Sequence, residues 1–292
     1  MANLITLANF NQTDGASPNG SLIVDAEGDL FGTTQTGGAS GDGTVFEIVN
    51  TPTGYASAPT TLASFNGSNG NSPSSELIMD AAGNLYGTTQ TGGANGKGTL
   101  FEVAKTGSGY ANTPTTMVNF SDGATPVAGL ITDANGDLFG TTSSGGPFGA
   151  GFGTAFEVPK TASGYGAPVI LAAFNGDNGS SPDGGLVADA NGDLFGTANG
   201  GPGGNGVVYE IAKTADGYAD APTILVSFNL TDGAGPVGSL IMDAAGNLFG
   251  VTSVGGQFGS GGEVFEIAKT ADGYASTPIL RSEEHTSELQ SP

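Results

Sequence analysis

The sequence predicts an all-β protein, a β-propeller of five four-stranded antiparallel blades, and three observations carry that prediction. One phrase recurs five times at a near-constant interval, each recurrence carries four short β-type runs divided by turn residues, and nothing reads as a long amphipathic helix. The phrase appears as "DAEGDLFGTT", "DAAGNLYGTT", "DANGDLFGTT", "DANGDLFGTA" and "DAAGNLFGVT". Its leading aspartates, Asp25, Asp80, Asp133, Asp189 and Asp243, lie 55, 53, 56 and 54 residues apart. Periodicity decides the class, because 53 Gly and 15 Pro in 292 residues would place an aperiodic chain close to disorder.

Within a unit of about 54 residues, run a is "LIMD", run b "NLYGTT", run c "TLFEV" and run d, just before the next unit, "TTMVNF". The a–b link "DAxG" suits a hairpin loop: the Asp carboxylate accepts from turn amides, and a glycine such as Gly83 adopts φ > 0 without a Cβ clash. In run c, apolar residues flank an acidic one, as in Phe46–Glu47–Ile48 and Phe101–Glu102–Val103, the period-two pattern of a strand with one buried face. The c–d link "AKTADGY" again places Gly at a turn. A four-stranded antiparallel unit repeated at this length is expected as a propeller blade, which buries both sheet faces against its neighbours. A β-solenoid is the alternative, although this repeat is long for one coil.

The chain opens on a run d, "LITLANF", so residues 4–10 are expected to complete the last blade beside residues 263–267 and close the ring. "STPIL" at 276–280 begins another run d and competes for that edge. After Leu280 the repeat stops in mid-phrase. The tail "RSEEHTSELQS" resembles the forward translation of a widely used short-read sequencing adapter over eleven codons, and Pro292 is compatible with the next base. Residues 1–280 are therefore read as one propeller domain and 281–292 as a non-native disordered tail, with five blades a lower bound. The tail holds the sole histidine, His285, which is accordingly neither ligand nor catalyst.

Composition removes several classes of function. The formal charge is −22, and −20 without the tail, so phosphate backbones and anionic membrane surfaces are repelled, and neither nucleic-acid binding nor membrane insertion is expected. There is no Cys and no Trp, hence no disulfide, thiolate nucleophile or Cys-ligated metal. No apolar run is long enough to span a bilayer, and "MANLITLANF" lacks the regions of a signal peptide. Nucleophilic triads cannot be assembled without His or Cys.

The unit "GLIxDAxGNLYGTTxxGGxxGxGTVFEI" is similar to the GloVer-type tandem repeats of choice-of-anchor bacterial proteins, over nearly all of residues 1–280. The resemblance implies an exported, extracellular or surface-displayed protein with a variable anchor. It brings no activity, cofactor or catalytic residue.

A feature present in every unit most simply serves the unit, whereas a single site breaks the repeat. Lys105, Lys160, Lys213 and Lys269 recur at one position and read as solvated strand-end charges; the tyrosines at 55, 110, 165, 218 and 274 read as packed hairpin residues. "DANGDLFG" at Asp133, Asn135 and Asp137 opens like a calcium loop, but Leu138 and Ser144 stand where such a loop needs Gly and Glu. No cofactor is expected beyond weak calcium binding. The d–a and b–c loops share one side of a blade, and that loop-rich face is the candidate contact surface. There Phe148, Phe152 and Phe258 break the repeat as apolar contacts, and Asn66, Asn69, Asp177, Asn178 and Asp232 offer amides and carboxylates to a glycan or surface protein. The expectation is a monomeric, non-catalytic structural, adhesive or ligand-binding module. The alternative is a carbohydrate-active propeller hydrolysing glycosides with an Asp/Glu pair.

Overall fold

The computed structural model describes residues 4–121, 123–149, 151–256 and 261–280. Among these the chain is all-β, with no helix. Five antiparallel sheets follow one another, each a meander in which strands a, b, c and d lie in chain order. In unit 1 they are Ala16–Val24, Leu30–Thr36, Thr44–Ile48 and Thr60–Ser64. Unit 2 splits strand a into Asn71–Pro73 and Ile78–Met79, and continues with Leu85–Thr91, Thr99–Val103 and Thr115–Asn119. Units 3 and 4 repeat the plan from Ile131–Thr132 to Val169–Ala173 and from Val187–Ala188 to Thr223–Ser227. Unit 5 runs through Ala234–Met242, Leu248–Val254, Val264–Ile267 and Ile279–Leu280. Between c and d each unit adds a two-residue ribbon, such as Lys105–Thr106 with Gly109–Tyr110.

The a–b turn forms as its sequence predicts. Asp80 Oδ1 accepts from the amides of Ala82 at 2.9 Å and Asn84 at 2.8 Å, and Gly83 has φ 83°. Residue Asn84 then accepts from the Lys105 amide at 2.9 Å, tying the turn to the c–d ribbon. The same bonds recur with Asp137 and Lys160, and with Asp193 and Lys213. Strands c and d carry a bulge at one place in units 1 to 4, after Val45, Leu100, Ala155 and Val208, which bends the outer edge away from flat pairing.

The apolar cores lie between units. Phe31, Val45, Ala63 and Phe65 of unit 1 pack with Leu77, Leu85, Phe101 and Val103 of unit 2, and three further clusters repeat this across the next three junctions. The glycine of "FGT" exists for that packing: a Cβ on Gly87 would lie 2.8 Å from the Phe101 ring and 2.9 Å from Leu77. In units 1 to 4 the phenylalanine just after strand d packs on the run-c aromatic of the next unit, as Phe65 does edge-on against Phe101 at 4.9 Å.

Two expectations change. Residues 4–10 form no strand, and Leu4 and Ile5 are exposed; the place beside Val264–Ile267 is taken by Ile279–Leu280, so the expected closing strand is not in position. What the N-terminal segment does share with a run d is its last residue, since Phe10 meets Phe46 at 4.9 Å edge-on. The recurrent lysines are not simply solvated: the Nζ of Lys160 sits 3.9 Å from the centre of the Tyr165 ring, and Lys105, Lys213 and Lys269 cover their own hairpin tyrosines.

Candidate functional site

Backbone hydrogen bonds bring the d–a and b–c loops together. The Gly93 amide donates to the Gly67 carbonyl, Gly201 to Gly176 and Gly256 to Leu230, so in units 2, 4 and 5 the b–c loop leans on the d–a loop before its own unit. The end of the b–c loop in turn touches the start of the next unit: the carbonyls of Asp42, Lys97, Phe152 and Asn205 accept from the amides of Ser72, Thr125, Ser181 and Gly235. The result is a rim whose backbone repeats from unit to unit.

The side chains expected to bind ligand divide into three groups on this rim. Asn66, Asn69, Asn178 and Asp232 shape their own loops. The Asn66 amide donates to Asn69 Oδ1 at 2.9 Å and the Asn69 amide to Asn66 Oδ1 at 3.1 Å; Asn175 and Asn178 exchange the same pair, and the Asn229 amide donates to Asp232 Oδ1 at 2.8 Å. Loop Asn and Asp side chains often close on nearby amides in this way. Asp177 stands exposed at its loop tip, and Phe148 is 57 % exposed. Phe152 is half-buried over Gly176 and against the core shared by units 3 and 4, so it does not lie flat beside Phe148. Phe258 lies outside the described residues.

The geometry exposes a position that motif reading passes over. The last residue before the closing glycine of the b–c loop is Asp42, Lys97, Phe152, Asn205 and Gly261 in successive units. None is buried, and in units 1, 2 and 4 its backbone makes the same parallel bridge to the first loop glycine. One backbone site therefore presents an anion, a cation, an aromatic ring, an amide and no side chain. The loops differ in length, so the equivalence shows only when they are aligned from their final glycine. Asp183 also breaks the repeat, where other units have Asn19, Ser74, Val127 and Val237. Burial raises its carboxyl above the ordinary range, and a hydrogen bond from Asn199 partly offsets that rise.

The opposite side is acidic and repetitive. Burial raises Glu47, with Asp29 and Asp25 adding to the rise and Lys105 opposing it; Glu157 and Glu210 repeat the arrangement. In the calcium-like turn, Asp133 Oδ1 accepts from the amides of Asn135 and Asp137, and Asp137 Oδ1 accepts from that of Lys160. These carboxylates hold the turn, and among the described residues no group of three or more His, Cys, Asp or Glu side chains is placed to hold a metal ion.

A family model described as the Gloeobacter/Verrucomicrobia repeat matches residues 2–167 and again 115–285. No curated protein matches the sequence as a relative. Among solved structures, the chain is similar to a hypothetical selenium-binding protein from Sulfolobus tokodaii, at 7 % identity over 93 % of this chain and 66 % of that one, with a TM-score of 0.59. A luciferin-regenerating enzyme matches at 14 % identity over 92 % of this chain and 76 % of its own, with a TM-score of 0.55. An ulvan lyase, a polysaccharide lyase, matches at 11 % identity over 90 % and 72 %, with a TM-score of 0.53. At these identities the likeness is one of fold alone.

Proposed function

The chain belongs to the Gloeobacter/Verrucomicrobia repeat family, and from that premise we propose that it is a propeller-type scaffold presenting its loop rim as a non-catalytic contact surface. On this reading it is an exported or surface-associated adhesive or ligand-binding module, and the partner is a glycan or a surface protein. The observation that carries the reading is the site occupied by Asp42, Lys97, Phe152 and Asn205, and by Gly261 in the fifth unit, where a backbone bonded alike in units 1 to 4 holds four different side chains. A residue needed for shape would repeat, as the "DAxG" aspartates do; one free to differ on a rigid rim suits recognition.

A non-catalytic role is supported by where the carboxylates stand. The repeated aspartates hold turns, and the upward shift of Asp183 arises from burial, which the hydrogen bond from Asn199 opposes, whereas a glycosidase needs two carboxylates flanking one bond. Among the described residues no helix is long and apolar enough to cross a membrane.

A glycan array, read with and without calcium and followed by a reducing-end assay, tests the proposal. Retention without new reducing ends is expected, and Lys97→Ala with Asn205→Ala should weaken it at least severalfold while leaving the melting temperature within a few degrees. Released reducing ends would make the protein a carbohydrate-active enzyme. Retention indifferent to both substitutions would remove the rim as the contact surface.

A further inference from the structure

Asparagine followed by glycine is the step at which a polypeptide most readily modifies itself, because glycine puts no side chain in the way when its amide nitrogen turns back on the asparagine carboxamide. The chain contains ten such steps. Their shared dipeptide ranks them alike, and the fold does not.

In eight of the ten the glycine amide is already donated to a backbone carbonyl. In the a–b turns Gly136 donates to Asp133 at 3.1 Å and Gly192 to Asp189 at 3.0 Å, although Asn135 and Asn191 are both exposed. On the rim Gly67 and Gly70 donate to each other's carbonyls, as do Gly176 and Gly179, while Gly96 donates to Gly93 and Gly206 to Gly200. An amide aimed at a backbone carbonyl must break that bond and turn before it reaches the preceding side chain. Asn199, before Gly200, is held by its side chain instead: Nδ2 donates to the Ser181 carbonyl at 3.4 Å and to Asp183 Oδ2 at 3.2 Å.

Asn19–Gly20 is the exception. The Gly20 amide donates to Asn19 Oδ1 at 3.0 Å. Oδ1 is bonded to Cγ, so nucleophile and electrophile are held side by side as a near-attack arrangement requires, and the same hydrogen bond draws electron density from the carbon to be attacked. The backbone here lies outside regular pairing: strands a and b pair as far as Asn19 with Thr33 and resume at Ile23 with Phe31. Gly20 has φ 81°, and a Cβ on it would lie 3.0 Å from the Ser74 carbonyl oxygen of unit 2, so the close approach of that unit keeps the position bare. Both residues of the step remain exposed with unit 2 in place.

We propose that Asn19 is a self-modification site, where the chain converts a carboxamide at the start of its first strand a into a carboxylate. The Gly20 nitrogen gives its proton to solvent base and bonds to Asn19 Cγ; the Cγ–Nδ2 bond breaks, and Nδ2 leaves as ammonia with a proton from water. The succinimide so formed takes up one water. Opening at Cγ gives an aspartyl residue, and opening at the backbone carbonyl carbon gives an isoaspartyl one, whose main chain runs through the former side chain. One water is consumed and one ammonia released, with no change of oxidation state. The product matches a residue the fold already uses: unit 4 has Asp183 at the equivalent position, again followed by glycine. Conversion therefore gives units 1 and 4 a carboxylate at the same place and makes the formal charge of −22 more negative by one. The isoaspartyl form adds its extra main-chain atom where the register already shifts, so it breaks no regular pairing.

Ageing the full chain for weeks in mildly alkaline buffer at physiological temperature, then digesting it with pepsin at an acid pH that halts the reaction, tests the proposal by mass spectrometry. A gain of one dalton at Asn19 is expected to accumulate at least severalfold faster than at any other Asn–Gly step, and an isoaspartyl methyltransferase should label the same peptide. In urea the lead of Asn19 should disappear, because the bonds that spare the other glycine amides are lost. Asn19→Gln lengthens an exposed side chain by one methylene and disfavours the five-membered ring. It should remove the leading signal and leave the slow ones unchanged. Equal rates at all ten steps of the folded protein, an Asn19 that stays intact, or a lead that persists undiminished in urea would each overturn the proposal.

Discussion

Residues in this chain act in small matched sets, and a set can change only as a whole. Thr142 and Thr154 face one another in the ladder of unit 3, with hydroxyls 2.9 Å apart and both side chains buried; Thr34 with Thr44 and Thr89 with Thr99 do the same. Unit 4 replaces both partners at once, with Ala198 opposite Val207. Removing one hydroxyl takes away the other's partner, which costs about 1–3 kcal/mol, whereas removing both avoids that stranded hydroxyl and leaves only the Thr154 amide and Ser144 carbonyl without the Thr142 oxygen. Thr142→Ala is therefore expected to lower stability in urea unfolding by about 1–3 kcal/mol. The double variant Thr142→Ala/Thr154→Val should cost less than the sum of the singles, and additivity would refute the pairing. Such pairing is invisible in a string, because "GTT" and "GTV" lie ten or more residues apart and meet only once register is known. Asn66 and Asn69 show the same dependence on a partner: they have the right chemistry for a glycan, and their three-residue spacing also lets each accept from the other's backbone amide.

Elements were more legible than residues because turn chemistry is local. The "DAxG" phrase contains both the acceptor and the positive-φ glycine that its turn requires, so runs a, b and c fall where the pattern places them. The two-residue c–d ribbon was not foreseen as an element, since its strands are too short to show any period. Its tyrosine nevertheless has its body against the preceding unit and its lysine above it. At this scale the calcium question becomes testable. Asp133→Ala removes the acceptor for two turn amides and should cost about 1 kcal/mol, as losses of similar side-chain caps do. A chelator should leave the melting temperature of the unsubstituted protein unchanged, because the same oxygens are already engaged. A drop of several degrees on chelation would return the turn to the metal-binding class.

Acidity governs the whole molecule, and its sign can be worked out. Glu47, Glu157 and Glu210 are raised, first by burial and then by the aspartates beside them. A carboxyl raised on folding binds its proton more tightly in the native state, so its penalty is full above the folded value and is relieved as pH falls through it. Asp80 behaves oppositely: burial pushes it up, but hydrogen bonds from Asn84, Tyr86 and Ala82 outweigh that and lower it. Asp243 is lowered chiefly by Asn247. Their contribution is present above the ordinary aspartate value and is lost as pH falls through the folded one. A net charge of −22 adds self-repulsion that protonation reduces. Descending from neutrality, the raised glutamates titrate before the capping aspartates, so calorimetry should show the melting temperature rising from pH 7 to about pH 5 and falling below about pH 3.5. Glu157→Gln removes one raised charge while keeping the side chain's shape, and should raise stability at pH 7 and flatten the climb towards pH 5. A melting temperature that declines steadily from pH 7 downward would mean that the repeated acidic clusters hold the units together through their charge.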